Sequence, residues 1–200
     1  NVLEDIGTLQ YEGLINHPVA SAFGDFTIIE NGSGVLIGNG ANSITKYTTS
    51  KPYNLNSTTH FASDTGAQSS VNFAARQTFS SGHTAKTSSL SPNGEMLAVL
   101  TYNVSTDDIY SYIFTLAVPY DITSDWTFRN IAVLDNSDPT GPGNVCWLPD
   151  NSGFVATLQN LPTFIQVSVN PSTYAQSPGT TIYGTTSQNF LVLGTSQISF

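Results

Sequence analysis

Apolar and polar positions fall into recurring blocks along this chain, and the clearest block runs from Ser91 to Ser124. Ser91-Pro92-Asn93-Gly94 opens it as a tight turn, because Asn and Gly tolerate the backbone angles of a sharp reversal. The apolar run Met96-Leu97-Ala98-Val99-Leu100 follows, then a polar loop carrying Asp107-Asp108. A second run, Ile109-Tyr110-Ser111-Tyr112-Ile113-Phe114-Thr115-Leu116, leads into a corner at Val118-Pro119-Tyr120-Asp121-Ile122. Turn, inner strand, loop, outer strand and exit make the plan of one blade of a β-propeller.

The plan recurs. Glu30-Asn31-Gly32-Ser33-Gly34 precedes Val35-Leu36-Ile37, and Pro149-Asp150-Asn151-Ser152-Gly153 precedes Phe154-Val155-Ala156. The three units begin at positions 30, 92 and 149, spacings of 62 and 57 residues. The exits repeat as well. Lys51-Pro52-Tyr53-Asn54-Leu55 matches Val118 to Ile122, and Asn170-Pro171 is a weaker third. Repeats of this size in a fixed order indicate a propeller or a β-array. The strands in the three units are apolar on both faces, as the inner strands of stacked sheets are. Ile44 and Lys46 alternate with Thr45 and Tyr47, the pattern of a half-exposed outer strand.

A fourth unit starts at Phe190-Leu191-Val192-Leu193. Gly7-Thr8-Leu9-Gln10-Tyr11 could complete it and close the ring, which would remove an aggregation-prone edge. The expected fold class is all-β and β-propeller-like, with about four blades and long inter-strand loops. Residues 56–86 and 126–144 read as insertions between strands, and loops that long are more often functional than idle. Ser69 to Arg76 is the best helical candidate and supports one turn at most. The 200 residues read as a single domain, from the carboxy-terminal part of a longer chain because the start at Asn1 lacks Met.

Charge narrows the partners. Five Lys+Arg against fourteen Asp+Glu give a net charge of −9, so no basic patch exists to displace the counterions of nucleic acid. An anionic membrane surface is excluded in the same way, and no apolar run approaches the ~18 residues of a membrane span. Charged residues are only 10% of the chain, yet 11% aromatic content with regular apolar runs argues for a folded domain. A single cysteine, Cys146, makes an internal disulfide impossible, and its place between Val145 and Trp147 reads as a buried small hydrophobe.

No nucleophile elbow, phosphate-binding loop or His-Glu-x-x-His occurs. His17, His60 and His83 lack metal-ligand spacing. Asp107, Asp108, Asp121, Asp125, Asp135, Asp138 and Asp150 are candidates for the paired carboxylates of a glycosidase. The arginine cluster of a sialidase-like site is missing, since only Arg76 and Arg129 are present. The densest oxygen clusters are Asp135-Asn136-Ser137-Asp138 and Thr106-Asp107-Asp108. Asp135, Asp138, Asp107 and Asp108 are therefore the candidate calcium ligands, although neither cluster has the spacing of an EF-hand loop.

The Gly94 to Leu100 strand, the Asp108-Ile109-Tyr110-Ser111-Tyr112 run and the Val118 to Ile122 corner together resemble a propeller repeat of phage structural proteins. Residues 87–125 match that repeat well, 26–55 moderately and 145–171 poorly. In size, composition and repeat the chain is similar to the distal receptor-binding domain of the vertex spike of corticoviruses, the marine lipid-containing bacteriophages. That resemblance implies a five-fold spike on the virion surface, attachment to a receptor such as a glycan on the bacterial host, and bound calcium. The expected function is accordingly non-enzymatic receptor binding. A glycan-processing propeller enzyme is the first alternative, and a structural β-sandwich module of a capsid or adhesin is the second.

Overall fold

The computed structural model describes residues 23–30, 33–39, 43–48, 69–73, 79–135, 141–159 and 163–183. Among them lie twelve strands in three four-stranded sheets. The first sheet holds β1 (Phe23–Ile29), β2 (Gly34–Asn39), β3 (Ser43–Thr48) and β4 (Ser69–Asn72). The second holds β5 (His83–Leu90), β6 (Met96–Asn103), β7 (Asp108–Leu116) and β8 (Trp126–Asp135). The third holds β9 (Pro142–Trp147), β10 (Gly153–Leu158), β11 (Thr163–Val169) and β12 (Gln176–Tyr183). Each sheet is an antiparallel meander of consecutive strands. The first strands β1, β5 and β9 lie against one another. The fold is all-β and β-propeller-like, and the described sheets form an open stack rather than a closed ring.

The middle sheet is buried on both faces. Leu97 and Val99 of β6 join Phe114 and Tyr112 in a core shared with Ile29, Leu36 and Ile44 of the first sheet. Ala98 and Leu100 point the other way and join Ile109 and Ile113 against Val145, Trp147, Phe154 and Ile165 of the third. All four residues from Leu97 to Leu100 are fully excluded from solvent. An unbroken apolar run is what a strand needs when period-2 alternation sends its side chains into two cores at once. Val35, Leu36 and Ile37, and Phe154 and Ala156, occupy the same second position in their sheets and are buried too. Phe73 and Phe79 close the first interface on Trp126, Tyr112 and Phe114, with ring centroids 5.0–6.4 Å apart.

The repeated turn joins the first and second strands of each sheet. In the middle sheet the Ser91 amide donates to Met96 O at 2.7 Å and the Gly94 amide to Ser91 O at 2.8 Å. Gly94 has φ +75°, and a Cβ there would sit 2.5 Å from Tyr120 Cγ, so only glycine fits. Gly153 is required by close approach instead, since a Cβ would lie 2.0 Å from Val167 O.

Several expectations change. The apolar runs are second strands, one step out from the innermost position. The innermost strand β5, His83-Thr84-Ala85-Lys86-Thr87-Ser88-Ser89-Leu90, is polar in sequence, yet Thr87, Ser88 and Ser89 are buried. Residues 56–86 and 126–144 are not simply insertions, because they contribute β4, the start of β5, β8 and the start of β9. Ser69 to Asn72 of the helical candidate is strand β4, fixed by pairing with β3. Strand β3 is interior rather than half-exposed, with Ile44, Thr45 and Tyr47 buried. Cys146 faces away from Val145 and Trp147 and is exposed, because alternation along β9 puts its neighbours in the core and Cys146 outside. The expected strands at Phe190 to Leu193 and Gly7 to Tyr11 lie outside the described residues.

Two substitutions measure this packing. Phe114→Ala empties a fully buried site and should cost about 3–5 kcal/mol. Trp147→Phe removes the buried indole hydrogen bond to Ser89 O at 2.8 Å and should cost about 0.5–1.5 kcal/mol. Val104→Ala, at an exposed position, should stay within about 0.5 kcal/mol. Urea unfolding midpoints of the three variants check the order.

Candidate functional site: a cleft between the second and third sheets

Meander topology sorts the loops to two ends. One end carries the β5–β6 and β9–β10 turns with the β7–β8 and β11–β12 loops. There a cleft of about 580 Å³ opens between the second and third sheets, within the size range of small-ligand sites. Its apolar surface comes from Met96, Leu116, Val169 and Pro171. Its polar groups include Glu95, Arg129, Asp150, Asn151 and Tyr174.

Each polar group is held. The Asn93 side-chain amide donates to Glu95 Oε2 at 2.9 Å. Asp150 Oδ1 accepts from the Ser152 amide at 3.0 Å and the Ser152 hydroxyl at 2.6 Å, which pulls its carboxyl below the usual range. Asn151 Oδ1 takes the Asn93 amide at 3.1 Å and so ties the two turns together across the sheets. Arg129, on β8, donates from Nε to Thr115 Oγ1 at 2.8 Å and lies 5.0 Å over the ring of Tyr174. Tyr174 adopts φ +58°, a left-handed conformation costly for an aromatic residue. The Asn170 loop enforces it, with the Tyr174 amide donating to Asn170 O at 2.7 Å and the Asn170 amide to Ala175 O at 2.9 Å.

The opposite end holds the expected calcium ligands. Asp107 accepts from the Tyr102 hydroxyl at 2.6 Å. Asp108 accepts from the Thr106 hydroxyl at 2.6 Å and the Tyr110 hydroxyl at 2.9 Å. Register sets Asp135 opposite Ile109, so β8 ends beside the Asp107-Asp108 loop. Asp138 and the side chain of Asp135 lie outside the described residues. Among the described residues no three His, Cys, Asp or Glu side chains gather. Two carboxylates already accepting hydroxyl bonds fall short of the about six to eight oxygens of a calcium ion, so this part of the loop pair is not by itself a complete ligand set.

Of the other candidates, Asp121 caps its own turn through Thr123, which lowers its pKa. His17, His60 and Arg76 lie outside the described residues. The Cys146 thiol reaches Trp147 O at 3.6 Å, and partial desolvation raises its pKa, which makes it a poor nucleophile. The cleft itself was not evident in the sequence. Its one signal was the pairing of the Asn93 and Asn151 turns in equivalent repeats.

His83 opens β5 beside the acidic end. Its ring lies 4.1 Å from that of Tyr110. The Ser80 amide donates to the Tyr112 hydroxyl at 3.3 Å, and that hydroxyl also shares a hydrogen bond of 2.9 Å with His83 Nδ1, whose donor is set by the imidazole tautomer. Desolvation lowers the His83 pKa, and the Asp108 charge opposes this with a smaller effect. A histidine that binds its proton less readily when folded contributes stability that is fully present above the ordinary value of 6.5 and lost as pH falls below it. Denaturant unfolding at pH 8 and pH 5 should show a smaller loss for His83→Gln than for the wild type, and equal losses would remove His83 as the cause.

No protein-family model and no curated protein matches this sequence. Solved structures do match in shape. A protein from Lactobacillus plantarum aligns over 82% of this chain and 43% of its own, with TM-score 0.50 and 11% identity. The periplasmic gluconolactonase of Pseudomonas aeruginosa aligns over 82% and 40%, with TM-score 0.48 and 11% identity. The β-propeller domain of Cps50 (Swd1) from Myceliophteria thermophila aligns over 82% and 44%, with TM-score 0.45 and 12% identity. The chain thus spans about two fifths of the length of these structures. At such identities the likeness concerns the fold alone.

Proposed function

We propose that this domain is a non-enzymatic recognition module that binds a saccharide of a cell surface in the cleft between its second and third sheets. The observation that supports this is the lining of the cleft. Saccharides present hydroxyl edges and apolar C–H faces together. Carboxylate and amide acceptors on rigid turns, beside Leu116, Val169 and Pro171, complement both. The lowered pKa of Asp150 keeps it ionised, as an acceptor for ligand hydroxyls. Placement on a virion spike, with the bacterial host as the recognised cell and five-fold copies of the chain as neighbours, rests on the resemblance in size, composition and repeat to the distal spike domain of corticoviruses.

Soluble domain should compete with its parent particle for attachment to host cells. Asp150→Ala and Asn151→Ala should weaken this competition. Incubation with cell-surface glycans, or with 6-phosphogluconolactone, should release no product. Turnover abolished by Asp150→Asn would make this an enzyme and overturn the proposal.

A further inference from the structure

The geometry points to a carboxylate-bearing sugar as the occupant of the cleft, with Arg129 as the residue that selects it. This rests on the saccharide-binding reading above and adds the charge of the ligand. Arg129 is the basic side chain among the residues that line the cleft. Its Nε is spent on Thr115, and the Tyr174 ring lies against its guanidinium. Among the described residues neither Nη group has a partner. The carboxylates nearby are turned to other donors, Glu95 to Asn93 and Asp150 to Ser152. By contrast, Lys46 is neutralised, with Glu30 Oε1 at 2.5 Å and Tyr120 O at 3.0 Å.

A guanidinium fixed along its Nε edge and on one face keeps its two Nη groups free as a planar fork. That fork matches the two oxygens of a carboxylate. Pre-orientation lowers the entropy cost of binding, because the side chain is already ordered. The left-handed backbone of Tyr174 is part of the same device, since a strained residue holds the ring that positions the guanidinium. Glu95 and Asp150 do not pair with the arginine, and they remain acceptors for the hydroxyls of the same sugar. The cleft therefore presents a donor fork for the acid and acceptors for the ring hydroxyls.

Titration of the purified domain with methyl β-D-glucuronide, N-acetylneuraminic acid, methyl β-D-glucoside and glucose 6-phosphate, followed by NMR chemical shifts, tests this. At least one of the two carboxylate sugars should bind about tenfold or more tightly than the glucoside. That preference should shrink in ~0.5 M salt, where surface charges are screened. Arg129→Gln should abolish the preference, and Arg129→Lys should restore only part of it, because an ammonium lacks the fork. Unfolding midpoints of both variants establish that they fold, and the lysine variant retains the charge in any case. Equal binding of acidic and neutral sugars by the wild type would overturn the role of Arg129 while leaving saccharide recognition standing. Binding of the phosphate sugar alone would overturn the carboxylate assignment. Binding of none of the four would count against the saccharide reading itself.

Discussion

The structure depends on the burial of one sheet from both sides. β6 sends Leu97 and Val99 into one core and Ala98 and Leu100 into the other. Neither outer sheet touches that strand alone, so the two interfaces share a common wall. Displacing a side chain in one core shifts the backbone from which the other core is built, since protein interiors are close-packed and transmit strain. The contact of the Phe73 ring with Trp126 at the first interface and the Trp147 to Ser89 hydrogen bond at the second fix each sheet against that wall.

The cleft follows from this packing. Two turns of the same type, around Asn93 and Asn151, are brought side by side because their sheets pack face to face. The hydrogen bond from the Asn93 amide to Asn151 then locks them. Arg129 and Tyr174 come from different sheets and meet for the same reason. A site assembled across a packed interface on short, hydrogen-bonded turns holds its groups in place before a ligand arrives, which favours recognition by preorganisation.

Charge is scarce in this chain and is used locally. Asp107, Asp108, Asp121 and Asp150 all accept hydroxyl bonds from close neighbours in sequence. Such bonds order loops at little cost in desolvation, because the carboxylates stay near water. Lys46 clasps the first sheet to the Tyr120 corner of the second, a contact worth at most about 1 kcal/mol where partly exposed. Among the described residues Arg129 is a cation whose side chain is ordered through Nε while its Nη groups have no partner.

The sequence by itself determined the second strand of each sheet and the turn before it. A strand buried on both faces must be apolar throughout, and a turn with a positive φ at Gly94 or a close approach at Gly153 must carry glycine. Both demands are local, so both are written in consecutive residues. In the middle sheet the innermost strand and the outermost strand escaped the reading, whereas residues 25–29 and 144–148 had already read as the first strands of the other two. β5 lies where the first strands of the sheets converge, and small Ser and Thr side chains serve there, so its burial leaves no apolar run. β8 is an edge strand exposing Phe128, Ile131 and Val133, and its identity is fixed by pairing with β7. Only tertiary structure decided that Cys146 faces outward, and only it brought Arg129 to Tyr174. These residues lie far apart in the chain, and their meeting is set by how whole sheets stack, which no stretch of sequence encodes alone.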